Sequence, residues 1–371
     1  MRAPAAASAR AAGPLRVLMV NDLPPGPGSG TEVFLDRLVV GLRRVGHTVD
    51  VVTPATARRG AGRLGDLWYP ALRRRVRDAA RGCDIVHVHN FARECSSSVL
   101  DAAPGVPVVC SVHDHRLFVS DRPGARWTPG SVASRALVRF ARARVRRHAA
   151  LVTAASPELA ERLLAAEIRP VVLVSPFADP DPEPWHPAVG RDIVFAGRLA
   201  PGKGVDVLLA AFAVVAAADP DARLRIAGEG PDAGALRRRA GPLGDRVRFD
   251  GLLDQAGVRA LLRDARVVCV PSVAPEGLPL LLVEAMLAGR AVVASDQPSM
   301  RRALADGALG VLVAPGDPVA LAGSLLALGP DDARVESLGR AARAAAEHRY
   351  ATTAAVDRFV EVYREALGRR D

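Results

Sequence analysis

A single lysine is prominent among the charged residues that could do chemistry. Lys203 is the only lysine in a chain whose 50 basic residues are otherwise arginine, and it lies five residues after Arg198. The sequence around them, residues 194–204, is typical of a strand that runs into a glycine-rich turn and then a helix. A guanidinium fork and a compact ammonium both bind phosphate oxygens. The spacing predicts a diphosphate clamp, with two ordinary surface charges as the alternative.

Two glutamates, Glu276 and Glu284, enclose a second segment of interest. Seven residues separate them, and the intervening run is mostly apolar, with Pro279 near its start. This pattern predicts a helix that begins soon after Pro279, and a helix N-terminus presents free N–H groups to a phosphate. Glu284 on that helix can accept hydrogen bonds from sugar or ribose hydroxyls. The alternative, a chance pair on a solvated helix, is disfavoured by the apolar context.

The histidines form a third group, in which His87 and His89 alternate along a predicted strand and His113 precedes an aspartate. Alternating side chains of a strand point to the same face. Two histidines without further ligands make no zinc site, so we expect them to pack in the core or to contact an acceptor. His113 is a candidate for the active site, with a metal ligand or a structural histidine as alternatives.

Composition limits the classes of function. The chain has 371 residues, 49% of them hydrophobic and 4% aromatic, which favours two globular domains and argues against stacking on single-stranded nucleic acid. Its four cysteines show no paired spacing, as expected in a reducing compartment. Residues 1–180 carry 26 arginines and 15 acidic residues, a net +11, whereas residues 181–371 carry a net −1. The first half is therefore expected to meet a polyanion, an anionic membrane or a phosphorylated acceptor, unless this is simply a solvated basic surface.

Short β-rich runs that alternate with helical patterns must position these residues. The alternation predicts βαβ units and parallel sheets. We expect a disordered leader over 1–13, a first domain over 14–179, a proline-rich linker over 180–190 and a second domain over 191–345. A C-terminal helix is expected over 346–371, and it either stays with the second domain or crosses back to the first. The predicted strands are 15–20, 48–53, 84–89, 107–112, 150–154, 192–196, 223–227, 246–249, 266–271, 291–294 and 310–313.

In their order and spacing, these motifs make residues 15–350 resemble a retaining glycosyltransferase of family 4 with the GT-B fold. The matching segments in the first half are Gly28-Ser29-Gly30-Thr31-Glu32, Gly46-His47-Thr48-Val49, Asp84-Ile85-Val86-His87 and Val112-His113-Asp114-His115. Those in the second half are Gly197-Arg198 with Lys203-Gly204, Ala227-Gly228-Glu229-Gly230-Pro231, the segment from Glu276 to Glu284, and Ala314-Pro315-Gly316-Asp317-Pro318. The resemblance implies two Rossmann-like, doubly wound α/β domains that face a central cleft.

The resemblance also implies roles for single residues. Arg198 and Lys203 match the pair that holds the donor diphosphate and offsets the charge of the leaving group. Glu276 matches the acid that faces the donor sugar, and Glu284 matches the residue that binds the ribose. The remaining matches are His113, near the transferred sugar; the donor-binding glycines Gly30, Gly197 and Gly277; and Leu280 and Leu281, whose backbone N–H groups approach phosphate and ribose.

The activity so implied is transfer of a sugar from a nucleotide-sugar donor to a glycan, a lipid-linked acceptor or a small molecule, as in polysaccharide biosynthesis. Neither a cofactor nor a metal nor nucleic acid is expected. Two strings that could hold a metal, Asp179-Pro180-Asp181 and Asp219-Pro220-Asp221, contain proline and are interpreted as turns. The expected location is cytoplasmic, peripheral at the inner face of the membrane if the basic amphipathic stretch 134–148 binds anionic lipid rather than packing on the sheet.

The sequence leaves two other classes open and disfavours a third. A nucleotide-sugar epimerase of the same fold would turn over the donor without an acceptor, and a non-catalytic subunit would bind the sugar nucleotide only. An NAD-dependent dehydrogenase is disfavoured because residues 26–30 lack the GxGxxG spacing. Nucleotide release measured with and without an acceptor separates the first two from a transferase.

Overall fold

The computed structural model describes residues 13–22, 30–54, 69–89, 95–113, 117–118, 129–180 and 190–369, with the side chains of 129–135 excepted. Most of the predicted leader and of the proline-rich linker lies outside the described residues. The chain forms two compact units. The first comprises Met1–Gly26, Leu35–Ser175 and Ala355–Asp371, and the second comprises Pro27–Phe34 and Pro176–Ala354. The C-terminal residues therefore group with the first unit.

The first unit is built on a six-stranded parallel sheet. Its strand order is β2-β1-β3-β4-β5-β6. The chain places β2 on one side of β1 and adds β3 to β6 on the other side, so the connections change direction between β1 and β3. The strands are β1 (Arg16–Val20), β2 (Thr48–Val52), β3 (Ile85–Val88), β4 (Val108–Val112), β5 (Ala149–Ala154) and β6 (Val171–Leu173). Four α-helices connect these strands along the chain in the described residues: α1 (Gly30–Arg44), α2 (Pro70–Ala79), α3 (Pro129–His148) and α4 (Pro157–Ala165).

The second unit repeats this plan with the order β12-β11-β10-β7-β8-β9, also all parallel. The strands are β7 (Asp192–Ala196), β8 (Arg223–Ala227), β9 (Val247–Gly251), β10 (Ala265–Val270), β11 (Ala291–Ser295) and β12 (Val311–Val313). The helices are α5 (Val205–Ala218), α6 (Ala233–Ala240), α7 (Gln255–Asp264), α8 (Leu280–Leu287), α9 (Pro298–Ala303), α10 (Pro318–Leu328), α11 (Asp332–Tyr350) and α12 (Thr352–Gly368), the last of which runs mostly within the first unit.

The hydrophobic pattern explains why these strands were recognisable. Every residue of β4, β10 and β11 is buried, as parallel strands are when helices cover both faces of the sheet. Such strands appear in sequence as short apolar runs between turn residues. The ends of the predicted strands agree with the structure to within two residues, the largest difference being the end of β9 at Gly251. The prediction missed β6, which has only three residues, none of them fully buried.

Two further observations concern the whole described chain. All four cysteines, Cys83, Cys95, Cys110 and Cys269, are free thiols, and three of them are buried. Within the described residues, each helix is either too short or too polar to cross a bilayer.

Candidate active site

The loops that carry the predicted diphosphate residues leave the second sheet at neighbouring strands. β7 pairs with β8 on one side and β10 on the other, and Val194 of β7 lies opposite Val268 of β10. The connections from these strands run in opposite directions across the sheet. Open α/β sheets bind ligands outside the carboxyl ends of the strands at such a switch point. The loops 197–204 and 271–279 start at this position.

The turn after β7 is held by backbone hydrogen bonds and by a glycine. The Gly197 N–H donates to the Ala227 carbonyl (2.9 Å) and the Leu199 N–H donates to the Glu229 carbonyl (3.0 Å), so the turn is tied to the end of β8. Gly204 precedes α5 in the left-handed conformation, with φ at +71°. A Cβ there would lie 1.9 Å from the Pro271 carbonyl oxygen. Only glycine permits this close approach between the two loops.

The loop after β10 binds back to the same turn. The N–H groups of Val273 and Ala274 both donate to the Gly202 carbonyl, at 2.8 and 3.1 Å. With the two backbones held together, Lys203 Nζ donates to Glu276 Oε2 at 2.6 Å across 73 positions of sequence. Their side chains are 35% and 17% exposed, respectively. Because an ammonium carries three donors, Lys203 can bind a phosphate oxygen while it keeps Glu276.

Helix α8 follows the Glu276 loop and carries the other predicted donor residues. Pro279 precedes it, and no side chain caps its N-terminus. The first N–H groups of a helix have no acceptor within the helix, and the positive end of the dipole favours an anion there. Leu281 is buried, whereas Leu280 and Glu284 are half-buried. The helix thus presents backbone donors close in sequence to Glu276, and donors of this kind can bind a phosphate.

The structure brings some predicted residues into direct contact and places others along the same elements. Lys203 and Glu276 form an ion pair. Arg198 and Gly197 are exposed on the turn after β7, and Gly277 lies in the loop after β10. Sequence reasoning missed Gln297 and Ser299, which bind this loop from the start of α9. The sequence did contain a hint of their role, because both polar residues follow closely after a predicted buried strand, β11, which lies next to β10 in the sheet.

Gly30 is the predicted donor-binding residue from the first half of the sequence. It begins α1, and residues 27–34 group with the second unit. Nearby, Phe34 packs on Phe177 with ring centroids 4.6 Å apart. A Cβ at Gly30 would lie 3.8 Å from Leu280 Cβ, an ordinary packing distance. Packing within the described protein therefore does not require glycine here, and the proposed role in diphosphate binding stays a prediction.

His113 belongs to the first unit, where it follows β4. Its Nε2 lies 3.0 Å from His89 Nδ1, and the two rings stack. His89 in turn lies beside His87, with ring centroids 4.0 Å apart. His87 is hydrogen bonded through Nδ1 to the Tyr363 hydroxyl and through Nε2 to Ser111 Oγ, both at 2.7 Å. The expectation that His87 and His89 pack in the core is correct.

We expect this buried cluster to make the first unit sensitive to acid. Burial lowers the pKa of His87 to about 3, and the charge of His113 acts in the same direction. Burial lowers the pKa of His89 well below its ordinary value too, followed by smaller effects of His87 and His113. Between pH 3 and 6.5 the unfolded chain therefore binds more protons than the folded unit at these positions. Folding stability must fall as the pH falls through that window.

We predict that His87→Gln reduces this pH dependence. Each neutral buried histidine contributes a slope of up to about 1.4 kcal/mol of unfolding free energy per pH unit. Urea unfolding of both proteins between pH 7 and 4.5 measures the slopes, and the comparison removes most of the contribution of the other histidines. The variant should be less stable at pH 7 but should lose less stability on acidification. Parallel curves for the two proteins would contradict the prediction.

The amphipathic stretch 134–148 lies within α3 and is partly engaged with its own unit. Arg142 Nε donates to the Leu117 carbonyl at 2.7 Å, and Arg146 pairs with Glu167 at 3.0 Å. Val145 is buried, whereas Phe140 is 43% exposed. Two arginines of this basic stretch, Arg142 and Arg146, therefore contact protein. Binding of this helix to an anionic membrane stays a prediction.

The structure describes only one of the two Asp-Pro-Asp segments in full. Asp219 Oδ1 accepts a hydrogen bond from the Asp221 N–H at 2.9 Å, which is the turn chemistry expected of Asp-Pro-Asp. Asp181 of the other string lies outside the described residues.

Both halves of the chain match models of known protein families. Residues 28–182 match the sequence model of a family described as "Glycosyltransferase Family 4". Residues 190–331 match "Glycosyl transferases group 1". The chain is similar to the phosphatidyl-myo-inositol mannosyltransferase of Mycolicibacterium smegmatis, with 32% identity over 364 residues that cover 92% of this chain and 91% of the relative. It is also similar to D-inositol 3-phosphate glycosyltransferase 1 of Catenulispora acidiphila, at 29% identity with 76% and 72% coverage.

Solved structures show the same fold. Anabaena HepE in complex with UDP-glucose superposes with a TM-score of 0.73 at 21% identity, covering 94% of this chain and 99% of that one. Sucrose-phosphate synthase from Thermosynechococcus elongatus gives a TM-score of 0.73 at 20% identity, with 95% and 99% coverage.

Proposed function

The chain belongs to glycosyltransferase family 4 and has the GT-B fold; from this premise we propose that it transfers a sugar from a nucleotide-sugar donor with retention of anomeric configuration. The observation that carries the proposal is the Lys203 ammonium, 2.6 Å from the Glu276 carboxylate, at the switch point of the second sheet. The N-terminus of α8 follows in the same loop. Cationic and backbone donors thus converge where a diphosphate would leave.

The proposed step uses the chain's residues to bind and orient the donor. The acceptor hydroxyl oxygen attacks the anomeric carbon on the face from which the diphosphate departs, and the bond from that carbon to the diphosphate oxygen breaks. The hydroxyl proton passes to the leaving phosphate. Lys203, Arg198 and the first N–H groups of α8 stabilise the charge that develops on the leaving group. Glu276 faces the sugar, and Glu284 binds the ribose hydroxyls.

We further propose that the acceptor carries a phosphorylated myo-inositol and that the sugar is mannose. Both named relatives act on inositol phosphates, one as a lipid headgroup and one as a free molecule. The first 180 residues carry 26 arginines against 15 acidic residues, a charge balance that favours anionic acceptors. A lipid acceptor would place the reaction at a membrane surface, as in the predicted peripheral location.

A transfer assay tests the proposal. The purified chain is incubated with GDP-mannose, UDP-glucose or UDP-GlcNAc, each with phosphatidylinositol vesicles, free inositol 3-phosphate or no acceptor. We expect nucleotide release to depend on one of the two acceptors, and proton NMR of the product to show the anomeric configuration of the donor. Donor turnover that needs no acceptor would identify an epimerase or hydrolase instead. Donor binding without turnover would identify a binding subunit.

We predict that EDTA leaves the transfer rate unchanged within about twofold. Lys203 and Arg198 supply the positive charge that a divalent cation provides in metal-dependent enzymes, and the Asp219 carboxylate is engaged with its own turn. The rate is measured with and without EDTA, after dialysis against the chelator. A loss of activity that Mg²⁺ or Mn²⁺ restores would contradict metal independence.

A further inference from the structure

The carboxamide of Gln297 holds the loop that carries Glu276. Gln297 follows β11 and precedes α9, and it is 7% exposed. Its Oε1 accepts a hydrogen bond from the Glu276 N–H at 3.1 Å. Its Nε2 donates to the carbonyls of Ser272 (2.7 Å) and Ala274 (3.0 Å). One N–H donor and two carbonyl acceptors fit the amide in one orientation only.

Ser299 completes the attachment from the same turn. It is 5% exposed, and its Oγ donates to the carbonyls of Glu276 and Gly277, each at 3.2 Å. The N–H and the carbonyl of Glu276 are thus both bound by side chains at the start of α9. On the other side, the N–H groups of Val273 and Ala274 bind the Gly202 carbonyl of the Lys203 turn.

These contacts compensate for the irregular backbone of the loop. Residues 271–279 lie between β10 and α8 and belong to neither, so their polar groups lack the partners that a helix or sheet provides. Buried backbone groups need such partners. Because Gln297 bridges three peptide units and Ser299 two, the side chain of Glu276 starts from a fixed backbone, and its carboxylate reaches Lys203 Nζ.

We propose that Gln297 and Ser299 are positioning residues that hold Glu276 in the geometry needed to face the donor sugar. They act through Glu276. The proposal rests on the proposed glycosyltransferase function. The positioning of the loop matters because a displacement of about 1 Å can lower turnover by about 100-fold.

The role predicts a split between sugar and nucleotide recognition. Gln297→Leu keeps the size of the side chain but removes both donors and the acceptor. We expect it to lower kcat roughly 10- to 100-fold and to weaken binding of the intact nucleotide sugar. The Kd of the nucleoside diphosphate alone should change by less than about threefold, because Arg198 lies on the turn after β7 and the proposed backbone donors of α8 belong to the helix rather than to segment 271–279. Ser299→Ala should show the same pattern with a smaller effect.

The decisive experiment is a double-mutant cycle with Glu276. If Gln297 acts through Glu276, then Gln297→Leu should have no further effect on kcat, or on the ratio of nucleotide-sugar to nucleoside-diphosphate Kd, in a Glu276→Ala background. If Gln297 only stabilises the fold, its replacement should lower the melting temperature. Any effects of the two substitutions on kcat and on the Kd ratio should then be additive. Ser324→Ala is the matched control, since the Ser324 hydroxyl binds the Ala320 carbonyl within α10, outside the site; it should leave both quantities unchanged.

The outcomes separate the two proposals. Wild-type protein that binds nucleotide sugars without transfer would refute the proposed function, and the Kd ratio would still test the positioning role. Additive effects in the cycle, or a wild-type Kd ratio in Gln297→Leu, would overturn the positioning role while the function stands. Wild-type protein that binds no nucleotide sugar would overturn both.

Discussion

Lys203→Ala is expected to lower kcat by roughly 30- to 1000-fold, which corresponds to a loss of about 2–4 kcal/mol of transition-state stabilisation. The ammonium lies at the switch point of the second sheet, where the proposed mechanism has the diphosphate gain charge as it leaves. An interaction that strengthens in the transition state affects kcat more than KM. Transfer rates at saturating donor, with KM measured alongside, give both values.

Stability should be affected little by the same change. Lys203 is 35% exposed and its ion pair with Glu276 is partly screened by solvent, so we expect a loss below about 1 kcal/mol in unfolding free energy. Arg248→Ala serves as the matched control, because Arg248 is 72% exposed, pairs with Asp250 and lies outside the site. It should leave kcat unchanged. Full turnover by Lys203→Ala would remove the main support for the proposed mechanism.

Lys203→Arg asks whether the site needs an ammonium or only a positive charge. The arginine fork binds a carboxylate with two parallel hydrogen bonds, and Glu276 already lies 2.6 Å from Nζ. We expect the guanidinium to be retained by Glu276 and to recover no more than about a tenth of the wild-type kcat. Complete recovery would show that charge alone is sufficient.

Gly204→Ala is expected to destabilise the second unit by about 2–5 kcal/mol. At φ of +71° a side chain costs about 1–2 kcal/mol. A Cβ would also lie 1.9 Å from the Pro271 carbonyl oxygen, so one loop must move, at a further cost of about 1–3 kcal/mol. Because that movement separates Lys203 from Glu276, turnover should fall in the fraction of protein that remains folded.

Gly307→Ala isolates the conformational part of this effect. Gly307 also has a positive φ, of +99°, but a Cβ there meets nothing within 4 Å. We expect a loss of only about 1–2 kcal/mol and an unchanged kcat. Urea unfolding and transfer rates of both variants provide the comparison. Equal losses of stability would show that the close approach to Pro271 is unimportant.

The sequence by itself determined the βα alternation and all of the described strands except β6, and it singled out the residues predicted to bind a diphosphate. These follow from local patterns, because buried parallel strands are short apolar runs and glycine-rich turns interrupt them. β10 and β11, buried along their whole length, were recognisable for this reason. The resemblance to family 4 depended on motifs of the same local kind, and the comparisons confirm it.

Only the tertiary structure decided which of these residues meet. Strand order is set by the packing of whole units, and one apolar run does not specify its neighbour in the sheet. The order places β7 beside β10, which joins Lys203 to Glu276 across 73 positions. It also places β11 beside β10, so that Gln297 reaches the Glu276 loop. Likewise, Tyr363 meets His87 across 276 positions, because α12 returns to the first unit. Contacts between residues so far apart depend on the completed fold, so no local pattern could indicate them.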